Sequence, residues 1–420
     1  MKSVSVIRKR NAKYPAYSMV REALLALGLD PANPFGEIIK PGNKVLIKPN
    51  FVRHFHPKKK NIYSVITHPS IIRAVVDYTY IALKGKGEII IGDAPLLDTD
   101  FEKIVKLTGL KEIVKSYKNE YNFKISILDL RNHKYDYSKS EFLPKTVNLS
   151  GDPLGYSLID LKNRSKFAQF GPCGSLHGLD YDFKKMKEHH SVKKHIYAVS
   201  NTMLSADVVI SLPKMKVHKK AGVSLNLKNM MGVCCDKRYI PHFNSSDEMP
   251  EGCKNLTKFS KRKMIESILS GEKLPANLRL KDILNDNTVD MLPAGDWHGN
   301  DTIWRAILDI NNIVKFADKK GKMKKIPQRK FFSIIDGIIS GEKEGPLNPV
   351  PINTGVVIAG QDFTEVDLAA IKLMGFDYKK IPQYKNLVLG DVVKKLSIEQ
   401  AGLSFKPPSG WKGHIEEKND

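Results

Sequence analysis

The sequence predicts an α/β fold: a mostly parallel sheet flanked by helices, with an antiparallel insertion and a second, irregular and partly helical one. Three observations predict it. Short β-branched apolar runs alternate with helically spaced segments near the amino end, the same alternation returns in the later half, and the stretches between them lack either period. Strand–helix–strand order implies parallel strands joined by right-handed crossovers.

Residues 44–48, Lys-Val-Leu-Ile-Lys, follow the turn signal Lys40-Pro41-Gly42-Asn43 and read as a strand. Thr67 is placed to cap a helix that opens on Pro69, with Ile71, Ile72, Val75, Val76 and Thr79 at helical spacing. Residues 88–93, Glu-Ile-Ile-Ile-Gly-Asp, form the next buried-type strand. From 131 to 200 the strands are short and turn-separated, such as 147–149 and 156–161, which predicts an antiparallel insertion. The α/β pattern resumes with strands at 206–213, 331–336 and 354–360 and a helix over 363–374. A polar, irregular stretch, 236–299, reads as the second insertion, leaving 1–130 and 201–420 as the α/β core.

Composition narrows the functional classes. With 41% hydrophobic and 27% charged residues the chain is neither disordered nor a membrane bundle, and no apolar run approaches the roughly 18–20 residues of a transmembrane helix. Charges fill the first ten residues where a signal peptide needs its apolar stretch, which predicts a cytoplasmic protein. Cys173, Cys234, Cys235 and Cys253 lack the spacing of a disulfide framework, zinc ribbon or ferredoxin cluster. Adjacent Cys234 and Cys235 fit either a redox pair or two small residues in a turn. The net charge of +23 suits an anionic partner and brings nucleic acid into consideration. The lysine runs at 58–60 and 319–325 lack interleaved aromatics or a DNA-reading motif, so a small anionic ligand is the favoured partner.

In open parallel sheets ligands gather at the carboxyl ends of strands. Here four strands run into polar sequences: Lys48-Pro49-Asn50-Phe51, Gly92-Asp93-Ala94-Pro95, Pro213-Lys214-Met215-Lys216-Val217-His218 and Asp336-Gly337. An ammonium ending an apolar strand needs solvent or a negative partner, so Lys48, Lys214 and Lys216, with Lys228, are anion-binding candidates. Asn50, Asn226 and Asn229 join them, the last two on a predicted helix whose amino end faces the anion. Residues 295–305 add Arg305 as an anion ligand and His298 as a site residue, although Asn300 or Asp301 in that stretch also suits a helix cap. His68 and His218 are candidate proton carriers, and Asp93 is a candidate to orient a histidine or bind metal. Asp336, His298 and His242 are the candidate ligands for a divalent metal, within a wider nitrogen and oxygen set. No zincin, Walker, dinucleotide or nucleophile-elbow motif is present.

These segments, with Thr67-His68-Pro69, residues 227–232, Gly341-Glu342, Gly345-Pro346, Gly360-Gln361-Asp362 and Val366-Asp367, resemble the domain of unknown function 362 family from about 45 to 375. Some members carry an attached iron–sulfur module; this chain lacks its cysteine run, so the resemblance implies no cluster of its own. Three functions then compete: an enzyme on a small anionic substrate, phosphorylated or carboxylate, with or without a metal; a polyanion-binding protein; and a redox partner using Cys234 and Cys235.

Overall fold

The computed structural model describes residues 3–138, 145–169, 176–178, 183–244, 295–387 and 403–417. Its centre is a nine-stranded sheet. β1 (Val4–Arg8), β2 (Lys44–Pro49), β3 (Glu88–Asp93) and β4 (Ile125–Asp129) come from the amino-terminal third. The neighbouring β2, β3 and β4 are parallel, while β1 lies at the opposite edge, antiparallel to the last strand of the sheet.

Helices α1 (Tyr17–Ala26) and α2 (Pro69–Leu83) cover one face of that sheet. Successive side chains of a strand point to opposite faces, and β2 obeys this: Val45 and Ile47 join the core under α1 and α2, while Leu46 joins the other core. Both faces are therefore covered, which is why β2 and β3 read as unbroken apolar runs. The cap of α2 differs from expectation. His68 accepts from the Ser70 amide through Nδ1, whereas Thr67 Oγ1 donates to the Leu212 carbonyl and accepts from the Asn50 amide, joining two strand ends.

The 131–200 stretch supplies, among its described residues, β5 (His133–Asp136) paired with β6 (Lys145–Asn148), and a separate sheet of β7 (Tyr156–Asp160), β9 (His190–Ser191) and β10 (Lys194–Ser200). Its β8 (Leu176–His177) pairs instead with β14 (Phe243–Asn244). Most of the 236–299 insertion, residues 245–294, lies outside the described residues, as do Cys173 and Cys253.

β11 (Val208–Leu212) returns to the main sheet beside β2. Pro213, which has no N–H to give, interrupts it, and the chain continues as β12 (Lys214–His218) beside the far half of β15 (Lys330–Glu342). β13 (Gly222–Ser224) folds back on β12. The helix expected next is a single turn, α3 (Asn226–Asn229), running into a tighter turn, Met230–Val233. α4 (Ile303–Phe316) and α5 (Phe363–Leu373) cover the second face, and β16 (Val350–Gly360) joins β15 to β1. No helix among the described residues is long and apolar enough to cross a membrane.

Candidate functional site

A cavity of about 170 Å³ opens beyond the carboxyl ends of β2 and β3 and beside β12. One water needs roughly 10–15 Å³ on the same measure, so it holds a small metabolite's worth of space. Of the sequence candidates, Lys48, Asn50, Asp93, Lys216, His218, Lys228, Asn229 and His242 line it.

At its base Lys48 and Asp93 form a buried ion pair, Nζ to Oδ1 2.7 Å. The Lys48 ammonium also donates to the Pro49 carbonyl (2.8 Å) and to Asn229 Oδ1 (3.2 Å). Its three N–H bonds are thus spent, so Lys48 acts as a fixed charge behind the cavity. Asp93 is fixed as well, its Oδ2 accepting from the Phe51 amide at 2.7 Å. Asn229 closes the unit by donating to the Lys48 carbonyl and to Ser211 Oγ. Gly232 lies directly over the pair: a Cβ there would come within 2.1 Å of Asp93 Oδ1 and 2.7 Å of Lys48 Nζ.

Three further ammonium groups have no carboxylate within ion-pair distance among the described residues. Lys216 donates to the Val65 carbonyl (2.5 Å), Lys237 donates to those of Ala94 (2.7 Å) and Cys234 (3.4 Å), and Lys228 faces the cavity. Burial lowers all three; for Lys228 the charges of Lys237 and Lys48 add to it, against Asp93, bringing it to about 7. Arg53, 2% exposed, holds Asp98 through Nη2, yet its Nε and Nη1 are buried without a hydrogen-bond partner. Asn50 Oδ1 is another orphan in the same wall. Unpaired buried polar atoms of this kind each cost roughly 1–3 kcal/mol, which a ligand acceptor would recover at Arg53 and a ligand donor at Asn50. At the rim, Lys220 and Lys219 pair with Asp296 (2.7 Å) and Glu344 (3.3 Å).

The histidines are neutral near pH 7. Burial, reinforced by Lys228, holds His218 and His242 well below the ordinary imidazole range. His218 Nδ1 accepts from the Lys220 amide, which puts the neutral ring's proton on Nε2. His242 Nδ1 donates to the Ile240 carbonyl, which leaves its Nε2 an acceptor. A lysine of the cavity, Lys228, is thus brought to about 7, while its histidines are held well below their ordinary range.

Other candidates lie elsewhere. His68, Lys214 and Asp336 form a neighbouring cluster with Tyr14, outside the cavity wall. Lys214 Nζ meets Asp336 Oδ2 at 2.8 Å and Tyr14 OH at 2.9 Å, Tyr14 donates to Asp336 Oδ1 at 2.6 Å, and His68 stacks on Tyr14. The cause is a bulge: Lys214 sits opposite Asp336 but Lys216 opposite Gly341, so two lysines that simple alternation puts together are separated. Burial holds His68 at about 4, too low for proton transfer near neutrality.

The anion at the amino end of α3 is the protein's own. Asp367 accepts from the Asn226 and Leu227 amides and from Asn226 Nδ2, so Asn226 is not available to an outside anion. Arg305 is held by Asp301 and the Lys166 carbonyl on α4, and Asn300 Oδ1 accepts from the first amides of that helix, so this stretch builds scaffold. His298 stacks on His414. The proposed metal ligands Asp336, His298 and His242 thus stand apart, and no three His, Cys, Asp or Glu side chains gather as a metal site among the described residues. Cys234 and Cys235 are buried, and burial pushes the Cys234 thiol up to about 12 and Cys235 higher, which keeps both protonated and unreactive.

The sequence reading missed Arg53, Lys220, Lys237 and Asp296. Arg53 follows the Lys48-Pro49-Asn50-Phe51 signal by two residues and was within reach of it. Lys237 and Asp296 come from the edges of the irregular stretch, where no periodic pattern announces a direction.

The family model described as "Domain of unknown function (DUF362)" matches residues 45–155 and 165–372. The thylakoid-associated protein sll1697 of a Synechocystis strain is 22% identical over 232 residues, 55% of this chain and 50% of that protein. Among solved structures, a Thermotoga maritima protein from a structural genomics programme aligns with a TM-score of 0.35 at 12% identity, over 87% of this chain and 60% of its own. The lactate racemase apoprotein of Thermoanaerobacterium thermosaccharolyticum aligns at 0.34 and 11%, over 87% of this chain and 56% of its own. The chain therefore spans between half and three-fifths of the length of each of these proteins.

Proposed function

The chain belongs to the DUF362 family, whose description names no reaction, and from its cavity we propose an enzyme acting on a small anionic substrate, a carboxylate or phosphate compound. One observation carries this reading: Lys216, Lys228 and Lys237 line one cavity with no carboxylate in ion-pair contact among the described residues, beside an Arg53 with two unspent donor nitrogens. Uncompensated charge in low dielectric is costly, and a bound anion relieves it. The Arg53 guanidinium supplies directional hydrogen bonds, and the ammonium groups supply point charge. Asp93 and the neutral His218 Nε2–H stand beside the anion, as acceptor and donor for a reacting group.

Melting the purified chain with phosphate, small carboxylates and their neutral amides tests it. A ligand at a hundred times its Kd stabilises by about 2.7 kcal/mol, a shift of a few degrees. Stabilisation by the acids and not the amides, abolished in Arg53→Gln, is the expected result. Indifference to every small anion, with oligonucleotide binding that weakens steeply as salt is added, would transfer the assignment to a polyanion-binding protein.

A further inference from the structure

The cavity's lysines are not equivalent. Lys48 is saturated by Asp93, Pro49 and Asn229; Lys216 and Lys237 are tied to main-chain carbonyls; Lys219 and Lys220 are paired with Glu344 and Asp296. Among the described residues, Lys228 is the one lysine of the wall that engages none of these anchors, and it lines the space a ligand would fill. Its placement follows from the fold: Asn226 and Asn229, on either side of it, are clamped to Asp367 and to the Lys48–Ser211 unit, so the single turn of α3 between them is fixed.

Resting on the anion-binding reading above, we propose that Lys228 is a nucleophile that forms an imine with the carbonyl carbon of a small anionic oxo compound. The neutral amine's lone pair attacks the carbonyl carbon, making the C–N bond as the C=O π pair moves to oxygen. The two N–H protons end on that oxygen, which departs as water when C=N forms, so amine plus carbonyl gives imine plus water with no further reactant. His218 Nε2–H is a hydrogen-bond donor in the same wall for the developing oxygen charge. A lysine crowded by other cations in a desolvated site is a recognised way to obtain a neutral amine at physiological pH, and Lys228, brought to about 7, meets that requirement. Arg53 and the neighbouring ammonium groups hold the substrate's anionic end.

The experiment treats the full chain with pyruvate, glyoxylate or glyceraldehyde 3-phosphate in the presence of cyanoborohydride, then maps reduced adducts by peptide mass spectrometry. The expected adduct is on Lys228, formed on the order of tenfold or more faster than on exposed lysines, because a far larger fraction of this amine is neutral. Excess lactate or phosphate, which lack the carbonyl, slows it, and Lys228→Arg removes it. Adducts spread over surface lysines with Lys228 unmodified overturn the inference, while anion-induced stabilisation in the same sample leaves the anion site standing. If both the adduct and the stabilisation are missing, the anion-binding reading fails with it. Peptide mapping of the wild-type chain decides this without reliance on how any variant folds.

Discussion

At the scale of one residue, Lys228 makes its own contribution to the pH dependence of stability. Its folded value, about 7, lies below that of an unfolded lysine, so between the two the unfolded chain binds more protons. This group's share of stability is therefore present above the ordinary lysine value and is lost as pH falls through about 7. In the ligand-free protein, melting temperature should rise with pH across that window, and Lys228→Met should flatten the rise; a profile identical in the two proteins contradicts the assignment. Lys48 and Asp93 give a second test. Removing one partner of a buried pair strands the other, at about 3–5 kcal/mol. Asp93→Asn should lose stability on that scale in urea, and Gly232→Ala should lose part of it by forcing its Cβ against both side chains. A loss under about 1 kcal/mol for Asp93→Asn, the level of an exposed ion pair, would mean the pair is not buried as described.

Among elements, α3 shows how a helix start can be mistaken for a ligand site. Its polar Asn and Lys pattern announced an anion at the amino end, and the anion proved to be Asp367, contributed by α5 far along the chain. Burial raises Asp367 to about 7 although the Leu227 and Asn226 amides oppose it, so its share of stability is present below the ordinary carboxylate range and is lost as pH rises through about 7. Asp367→Ala strands two amides and the Tyr384 hydroxyl, which at roughly 1–3 kcal/mol per buried orphan should rank it among the most destabilising substitutions of the second core in denaturant titrations. A wild-type midpoint would remove the capping account. The strands of the main sheet were legible because covering both faces demands apolar runs, and their carboxyl ends located the cavity through Lys48, Asp93 and His218. Partner choice was not legible. A register shift between β12 and β15 sends Lys214 to Asp336 and Tyr14, a carboxylate far along the chain, Asp367, consumes Asn226, and Arg305 is taken locally by Asp301.

For the whole molecule the question is what the +23 charge recognises. Charge spread over a surface gives salt-sensitive, sequence-indifferent attraction to polyanions. The cavity places Lys216, Lys228 and Lys237, with no carboxylate in ion-pair contact among the described residues, around a space that fits a small ligand. Oligonucleotide binding at low salt should therefore be insensitive to Arg53→Gln, whereas small-anion affinity should fall by tenfold or more, the equivalent of about 1.4 kcal/mol, for the loss of a charged hydrogen-bond partner. Equal losses for both ligands would place the polymer in the same site. The most direct measurement is proton linkage by calorimetry: lactate or pyruvate, fully ionised throughout, titrated into the full chain in buffers of different ionisation enthalpy. Binding next to Lys228 should draw in close to one proton near pH 8, almost none near pH 6, and none in Lys228→Arg. Binding that takes up no proton at either pH, or that keeps its uptake in Lys228→Arg, would contradict the account.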